Sequence, residues 1–398
     1  DRWSVPLRWV DEHRARSSDH PMTIEFRSSP TASLGVEVEL SLVDRETRAL
    51  TSAATDTLAD ISADGAEHPA LKHELFESTV EVITGVCDTV AGARSDLEAG
   101  IDELRGAAFQ RGVGLLCSGT HPFSSYRELQ ISPSERYHQL VDDMQWPVRR
   151  LAINGIHFHV GVRSGEKCIA TVNSLTTFLP LFLALSASSP YWDGQDTGLA
   201  SARTKIFEGL PTAGLPPQLH SWSEFEEFLD ALIRAEAIES VREVWWDIRP
   251  HPDFGTVELR MCDGMPTMTE ITGVAALAQC LVAWMDGQID RGEPLPGVRE
   301  WVVRQNKWLA ARYGLDTELI VDDRGNRRPA RDLVDELVDL LGDTAARLGC
   351  ADELLTLRDL VRTGNSAERQ RRIVAAGGSL VDVTTALQKE LSTDAPLV

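Results

Sequence analysis

Three stretches of the sequence alternate between apolar and polar residues, which is the pattern of a β-strand with one buried face. They run from Leu34 to Val43, from Ile153 to Val162 and from Thr256 to Cys262. In each stretch one face is apolar and the opposite face carries ionisable groups. A shorter apolar stretch, Val113 to Cys117, also predicts a strand. Three separate strands therefore each present a face of charged or titratable side chains.

Apolar residues at helical spacing form the second pattern, and it dominates the last third of the chain. Two capping boxes, Ser221-x-x-Glu224 and Thr267-x-x-Glu270, mark helix starts. Gly314 is placed to end a helix that includes Tyr313. Helices are predicted over residues 91–110, 221–238, 267–289 and 297–313, with three or four more in 331–391.

Strands with interspersed helices, followed by a helical tail, predict an α+β fold with an antiparallel sheet. Such a sheet can bury its apolar face under helices and leave the other face as a polar floor. We expect a single domain over residues 22–390, with a sheet region at 22–265 and a helical region at 266–390. Residues 1–21 are expected to be an N-terminal extension, because Met22 precedes a sequence typical of a domain start.

Composition and charge narrow the possible partners. The chain has 398 residues and a formal charge of −22. Nucleic acids and anionic membranes need basic surface, so we expect neither as a partner. No uninterrupted run of about twenty apolar residues predicts a membrane span. Six cysteines at irregular spacing, without a CxxC pair, indicate a reducing compartment, and we expect a cytoplasmic protein.

The ionisable faces of the three strands combine into one candidate site. Glu37 and Glu39 point the same way, roughly 7 Å apart, a spacing at which each can hold a hard cation. His157-Phe-His159 places two imidazoles on one face. The third strand adds an acid and a cation, Glu258-Leu-Arg260. Each pair alone occurs on ordinary solvent-facing or hydrogen-bonded strands, but together they indicate one site.

A further acidic segment, residues 72–83, contributes Glu74, Glu77 and Glu81. In a strand, Glu77 and Glu81 would share a face without Glu74, whereas in a helix all three would share one. A β-bulge would also reconcile them, and a solvated face is the ordinary alternative. The sequence leaves these possibilities open.

Carboxylates outnumber imidazoles in the candidate site, which favours Mg²⁺ or Mn²⁺ over Zn²⁺. A hard metal beside Arg260 indicates nucleotide chemistry, because a guanidinium matches phosphate bidentately. The sequence contains no phosphate-binding GxxxxGK[ST] loop, no GxGxxG after a strand and no Gly-x-Ser-x-Gly elbow. Any ATP would have to be held by metal ions and basic side chains on the sheet.

These motifs, in their order along the chain, resemble the type 2 glutamate–cysteine ligases, also called carboxylate–amine ligases. The resemblance covers roughly residues 22–385. It is carried by LGVEVEL, ESTVEV, GTHPF, IHFHVG, ALSASSPYWDGQDTGLASAR, DIRPHPDFGTVELR and NKWLAARYGL. The resemblance implies a glutamine-synthetase-like sheet on which ATP phosphorylates a carboxylate and an amine then displaces the phosphate. An amide forms through an acyl phosphate, with γ-glutamylcysteine as the expected product.

The same resemblance implies roles for particular residues. Arg260 would contact the transferred phosphoryl group, Glu37 is a candidate base, and Arg203, Asn306 and Arg312 would lie near the nucleotide or substrate. Lys307 departs from the family, where arginine is expected, so its role is open. The implied metal ligands are Glu37, Glu39, Glu74, Glu81, His159 and Glu258. For Glu258→Gln we expect loss of turnover with little unfolding.

Other functions remain open at this point. A metal-dependent hydrolase would use the histidines and a glutamate to hold a metal that activates water. The chain could also be a binding protein on an inactive ligase scaffold, or a ligase of this family with a different acid and amine. Small amino acids or amines are the expected partners, and a homodimer is left open. Loops 119–137 and 190–220 are expected to set specificity.

Overall fold

The computed structural model describes residues 23–62 and 67–397, so the predicted extension at 1–21 lies outside the described residues. Eleven strands occur in this part of the chain. They are β1 Leu34–Asp44, β2 Leu71–His73, β3 Thr79–Ile83, β4 Val113–Leu116, β5 Gly155–Gly161, β6 Tyr191–Trp192, β7 Gln195–Asp196, β8 Ile248–His251, β9 Thr256–Asp263, β10 Glu318–Ile320 and β11 Arg327–Pro329.

Fourteen α-helices accompany these strands in the same ranges. They are α1 Ala54–Ile61, α2 Val90–Gln110, α3 Glu135–Met144, α4 Trp146–Arg149, α5 Gly165–Leu175, α6 Leu179–Ser186, α7 Ala202–Phe207, α8 Trp222–Arg234, α9 Met268–Asp290, α10 Glu300–Tyr313, α11 Ala330–Leu348, α12 Ala351–Thr363, α13 Ser366–Ala375 and α14 Leu380–Thr393. Two capping predictions are confirmed: the side chains of Ser221 and Thr267 accept from the backbone N–H groups of Glu224 and Glu270.

Seven strands form one antiparallel sheet in the order β2-β3-β1-β5-β9-β8, with β4 paired to the far end of β1. All three alternating stretches thus become neighbours in the middle of the sheet, as β1, β5 and β9. The α+β prediction, with an antiparallel sheet and a helical C-terminal third, is confirmed. Because β1, β5 and β9 lie side by side, their polar faces are contiguous.

The apolar face of the sheet packs against α2 and α9, and this layer is the main core. Val38, Phe158 and Leu259, one from each central strand, are fully buried there. Helix α9 is long and apolar enough to cross a membrane, but 83% of its most apolar window is buried inside the protein. It is the central core helix, with α11 and α12 packed on its other side.

All six cysteines are free and buried, in agreement with the prediction of no disulfide framework. Burial raises the pKa of Cys87 to about 11 and that of Cys262 to about 12, so both are thiols at neutral pH.

Candidate active site

The centre of the site is the pairing of β1 with β5. Glu37 lies opposite His157, and Gly35 lies opposite His159. The Nδ1–H of His157 donates to Glu37 Oε2 at 2.8 Å, and Glu39 Oε2 accepts from the Gly155 N–H at 2.6 Å. Both carboxylates are therefore oriented by β5, and their remaining oxygens are available to a ligand.

Two groups of side chains have ligand atoms within 4.8 Å of one another, close enough to hold a metal ion, and His157 belongs to both. One group is Glu37, His157 and Glu258, and the other is Glu39, Glu81 and His157. With Nδ1–H donating to Glu37, His157 presents its Nε2 as a lone pair, which is the usual arrangement of a metal-binding imidazole. The sequence analysis named His159 as a ligand and left out His157.

His159 lies one step further along β5. Its Nδ1 is 3.1 Å from the Thr256 hydroxyl, and its Nε2 lies 3.3 Å from Glu37 Oε1 and 3.8 Å from Glu258 Oε1. That Nε2 is buried and has no hydrogen-bond partner of good geometry within the described residues. A buried nitrogen without a partner, beside two carboxylates, is consistent with a cation-binding position. The metal-ligand role of His159 is not tested by this geometry and stays a prediction.

Burial disfavours the charged form of both imidazoles, but their pKa values move in opposite directions. Burial lowers the pKa of His157, with Arg260 adding to the effect. At His159 the carboxylates of Glu258 and Glu37 outweigh burial and raise the pKa. Burial raises the pKa of Glu37, but the hydrogen bond from His157 and the close approach of the His159 ring outweigh burial and hold that pKa well below its usual range. A low pKa suits a metal ligand better than a base.

The acidic segment at 72–83 is neither one strand nor a helix, which settles the alternatives left open by the sequence. It is a hairpin: β2 ends at His73, β3 begins at Thr79, and residues 74–78 connect them. Glu81 pairs with Glu39 across β3 and β1, and Glu74 leaves the end of β2 toward the same cavity. Glu77 points elsewhere and accepts from the Thr55 hydroxyl at 2.7 Å.

The crowding of these carboxylates has an electrostatic consequence. Burial raises the pKa of Glu74 to about 8, and the charge of Glu39 contributes to the shift. Burial and the charge of Glu74 likewise raise the pKa of Glu81 well above its usual range. The metal-free site therefore holds protons that a divalent cation would displace.

Glu258 is fully buried between two arginines. Arg249, opposite it on β8, donates from Nε to Glu258 Oε2 at 2.6 Å, and Arg260 contacts Glu258 Oε1 from the same strand. Arg249 also donates to three backbone carbonyls, the nearest being Val244 at 2.9 Å. Burial raises the pKa of Glu258, but the two guanidiniums outweigh it and lower the pKa. Sequence reasoning missed Arg249, although the resemblance motif contained it.

Arg203 reaches the cavity from α7 and lies flat against β5. Its Nη2 donates to the carbonyl of Arg260 at 3.2 Å. A Cβ on Gly155 would lie 2.1 Å from that Nη2, so the bare backbone of Gly155 makes room for the guanidinium. The Nε atoms of Arg203 and Arg260 are buried and have no hydrogen-bond partner among the described residues. Both arginines line the same cavity, and each has an Nε–H without a partner.

The other predicted nucleotide contacts lie away from this space. Asn306 uses both ends of its amide on the backbone of Ile320, and Arg312 contacts the carbonyl of Gly198. Neither lines the cavity. Their predicted nucleotide contact is untested, and their contacts here are with the protein's own backbone. Lys307 is buried in an ion pair with Asp247 at 2.5 Å and Glu208 at 2.6 Å, so its role here is structural.

Most of the ionisable groups of the polar face line one cavity of about 360 Å³, whereas His159 and Glu258 do not line it. The lining groups are Glu37, Glu39, Glu74, Glu81, His157, Arg203, Arg249 and Arg260. Arg136, from the predicted specificity loop 119–137, and Phe207, from the loop 190–220, reach its wall. Sequence reasoning missed several of the remaining lining residues because no strand alternation marks them. They are Leu140, Arg242, Trp245, His251 and Phe254.

Comparison with known proteins assigns the chain to a family. The family model described as glutamate–cysteine ligase family 2 matches residues 33–386. A protein of Frankia casuarinae with the provisional name glutamate–cysteine ligase 2-1 is 54% identical over 380 residues, covering 95% of this chain and 100% of that protein. A Thermobifida fusca protein with the provisional name glutamate–cysteine ligase 2 is 51% identical, covering 95% of each chain.

Solved structures share the fold at low identity. The glutamate–cysteine ligase of Francisella tularensis, solved with AMP, superposes with a TM-score of 0.66 at 13% identity, covering 92% of this chain and 90% of that one. The Pup ligase PafA, in complex with Pup, superposes with a TM-score of 0.51 at 12% identity, covering 89% of this chain and 71% of that one. The chain shares its fold with these ligases, and it belongs to glutamate–cysteine ligase family 2.

Proposed function

We propose that this protein is an ATP-dependent carboxylate–amine ligase that joins the side-chain carboxylate of glutamate to the amine of cysteine. One observation carries the proposal: four carboxylates, Glu37, Glu39, Glu74 and Glu81, line the same cavity as two arginines with unused donors. Phosphoryl transfer needs carboxylates that bind divalent cations and guanidiniums that bind phosphate. The family membership and the names of the relatives point to the same reaction.

The ligand groups fit Mg²⁺ or Mn²⁺. Oxygen atoms predominate, His157 keeps a free Nε2, and the pKa values of Glu74 and Glu81 are raised without a cation present. Metal ions would be held by Glu37, His157 and Glu258 on one side and by Glu39, Glu81 and His157 on the other. Glu74 and His159 lie beside these groups. When bound, a divalent cation would offset the negative charge of the phosphates.

The protein's own residues position the substrates and offset the charge of the transferred phosphoryl group, and none of them reacts covalently. In such a ligase the acid substrate's carboxylate takes the terminal phosphoryl group of ATP, and the amine then displaces phosphate. Arg260 stays charged: burial lowers its pKa, but Glu258 outweighs burial and raises it. Its guanidinium and that of Arg203 can donate to phosphoryl oxygens, a contribution that strengthens as charge develops there. No nucleophilic side chain is required.

Glutamate and cysteine come from the names of the relatives, and Arg136 on the cavity wall offers a partner for a substrate carboxylate. Another acid and amine would use the same machinery. A zinc-dependent hydrolase is disfavoured because carboxylates outnumber imidazoles, whereas zinc ions that activate water are held mainly by histidine.

The proposal is tested by measuring ADP release with Mg²⁺ against a panel of amino acids and amines. We expect ADP release that needs both an acid and an amine, with glutamate and cysteine the preferred pair. Release with a different pair would retain the ligase and change the substrates. Substrate cleavage without nucleotide turnover would support the hydrolase, and a folded protein that turns over no pair would count against a ligase.

A further inference from the structure

Phe254 is an exposed aromatic ring on the wall of the active-site cavity. It lies in the turn between β8 and β9, and 58% of the residue is exposed. One face of its ring stacks on His251, with ring centroids 4.1 Å apart and an angle of 7° between the planes. His251 in turn packs its edge against His159, 5.4 Å away. A flat apolar surface thus adjoins the candidate metal ligands.

Backbone hydrogen bonds and the conformation of Gly255 fix the turn that carries Phe254. The N–H groups of Phe254 and Gly255 both donate to the carbonyl of His251. Gly255 has φ +65°, and a Cβ there would lie 1.5 Å from the Arg27 carbonyl oxygen. The Val162 N–H donates to the carbonyl of Gly255. A large ring kept exposed by a rigid turn at a cleft indicates a ligand contact.

Strand register places this ring at one end of the row of ligand groups. Glu39 pairs with Glu81, Glu37 with His157, and His159 with Glu258, in that order along the strands. The next step on this face is the Gly161–Thr256 pair, beside which His251 and the Phe254 turn lie. Each step of two residues is roughly 7 Å. Two residues further along the strands, the ionisable groups proposed to bind phosphate therefore end and the flat surface of Phe254 and His251 begins.

We propose that Phe254, backed by His251, is the stacking platform for the nucleobase of the nucleotide substrate. The assignment rests on the proposed function, because it requires that the chain bind ATP. A base on the outer face of Phe254 would leave its phosphates directed along the sheet toward Glu258, Arg260 and the carboxylates. Stacking is tolerant of base identity, so this contact contributes affinity more than discrimination between purines.

Nucleotide binding can be measured without turnover. By calorimetry with Mg²⁺ we expect Phe254→Ala to weaken ADP and ATP about 5- to 100-fold, the range for one base–aromatic stack. Phe254→Tyr should stay within about 2-fold of the parent protein, because the flat ring is retained. The control is Phe109→Ala, which removes a similarly exposed ring (55%) on α2, outside the cavity, and should leave affinity unchanged.

Inorganic tripolyphosphate with Mg²⁺ separates the base from the phosphates. Its affinity should be equal in the parent protein and in Phe254→Ala. Equal ATP affinity in these two proteins would overturn the platform, and so would an equal loss for ATP and tripolyphosphate. If the parent protein binds neither nucleotide, the proposed function itself fails. The glutamate KM should not move in Phe254→Ala, and a rise in that KM with ATP affinity intact would assign the ring to the acid substrate instead.

Discussion

Glu39 and Glu81 face each other directly across β1 and β3, and both line the cavity into which Glu74 also points. Like charges opposite each other in a sheet are destabilising unless something compensates them. The compensation in the metal-free protein is protonation, as the raised pKa values of Glu74 and Glu81 indicate. The functional site is thus a source of strain that a divalent cation would relieve.

The first prediction concerns pH and metal. A carboxyl group whose folded pKa is raised stabilises the protein most below its unfolded pKa, and that contribution is lost as pH rises toward the folded value. The pKa of Glu74 is about 8, whereas the ordinary value for a glutamate is 4.5, so this residue should lower the melting temperature as pH rises toward 8. Calorimetry of metal-free protein between about pH 6 and about pH 8 measures this decline.

Glu74→Gln is the matched variant, and its melting temperature should fall less over the same interval. Added MgCl₂ should also flatten the decline, because metal binding displaces the protons. Parallel curves for the parent protein and Glu74→Gln would contradict the raised pKa of Glu74.

A second prediction compares Glu39, a candidate metal ligand, with Glu77, a glutamate outside the cavity. Glu39→Gln should reduce turnover at least about 100-fold with little loss of stability, because a glutamine oxygen can still accept from Gly155. Steady-state kinetics and thermal melting provide the two measurements. Glu77→Gln is the control: its side chain bonds Thr55 and does not line the cavity. Comparable activity in the two variants would remove Glu39 from the site.

The structure revises the expectation for Glu258→Gln. Turnover should still be lost, but the substitution leaves Arg249 and Arg260 buried without their carboxylate. Removing one partner of a buried ion pair typically costs about 3 kcal/mol or more. Urea unfolding should show a loss of this size, in contrast to the little unfolding expected from the sequence. A stability within about 0.5 kcal/mol of the parent would contradict the buried pairing.

The fourth prediction concerns Gly155. Gly155→Ala should displace the Arg203 guanidinium, since the new methyl group would overlap Nη2. Misplacing a group that faces the transferred phosphoryl should lower kcat/KM about 10- to 100-fold. The control is Gly106→Ala in α2, where nothing lies within 4 Å of the new Cβ. That variant should keep full activity and gain about 0.5–1 kcal/mol of stability.

Lys307 provides a fifth prediction, on stability rather than chemistry. Lys307 and Lys205 both contact Glu208 at 2.6 Å, but the Lys307 side chain is 3% exposed and that of Lys205 is 30% exposed. Lys307→Met should cost about 3 kcal/mol or more, because Asp247 loses its buried partner. Lys205→Met should cost at most about 1 kcal/mol. Equal losses in chemical denaturation would contradict the difference in burial.

Sequence periodicity predicted β1, β5 and β9, the central strands of the sheet, because alternation reports directly which face is buried. It did not predict β8 and left the segment of β2 and β3 open. It placed Glu37, His157 and Glu258 on one polar floor without any contact information. It could not place Glu74, since that side chain leaves a hairpin connection where no periodicity exists. It also left Arg249 unassigned, because a single arginine next to proline has no local signature of a carboxylate partner on the neighbouring strand.

Asn306 marks another limit of sequence reasoning. Its position in a family motif suggested a nucleotide contact, yet its amide is occupied by the backbone of Ile320. A motif records that a residue matters but does not say whether it contacts ligand or supports the fold. Trp245 shows the converse, because it lies on the cavity wall but in none of the quoted motifs and in no alternating stretch.

Phosphorylation of a substrate carboxylate, followed by displacement of the phosphate by an amine, is the core of the proposed reaction. Isotope transfer tests it most directly: glutamate fully labelled with ¹⁸O in its side-chain carboxylate is incubated with ATP, cysteine and Mg²⁺, and the released phosphate is analysed by mass spectrometry. We predict one ¹⁸O atom in each phosphate released, together with one amide product. Phosphate that carries no label while ADP accumulates would show direct hydrolysis of ATP by water and would contradict an acyl phosphate intermediate.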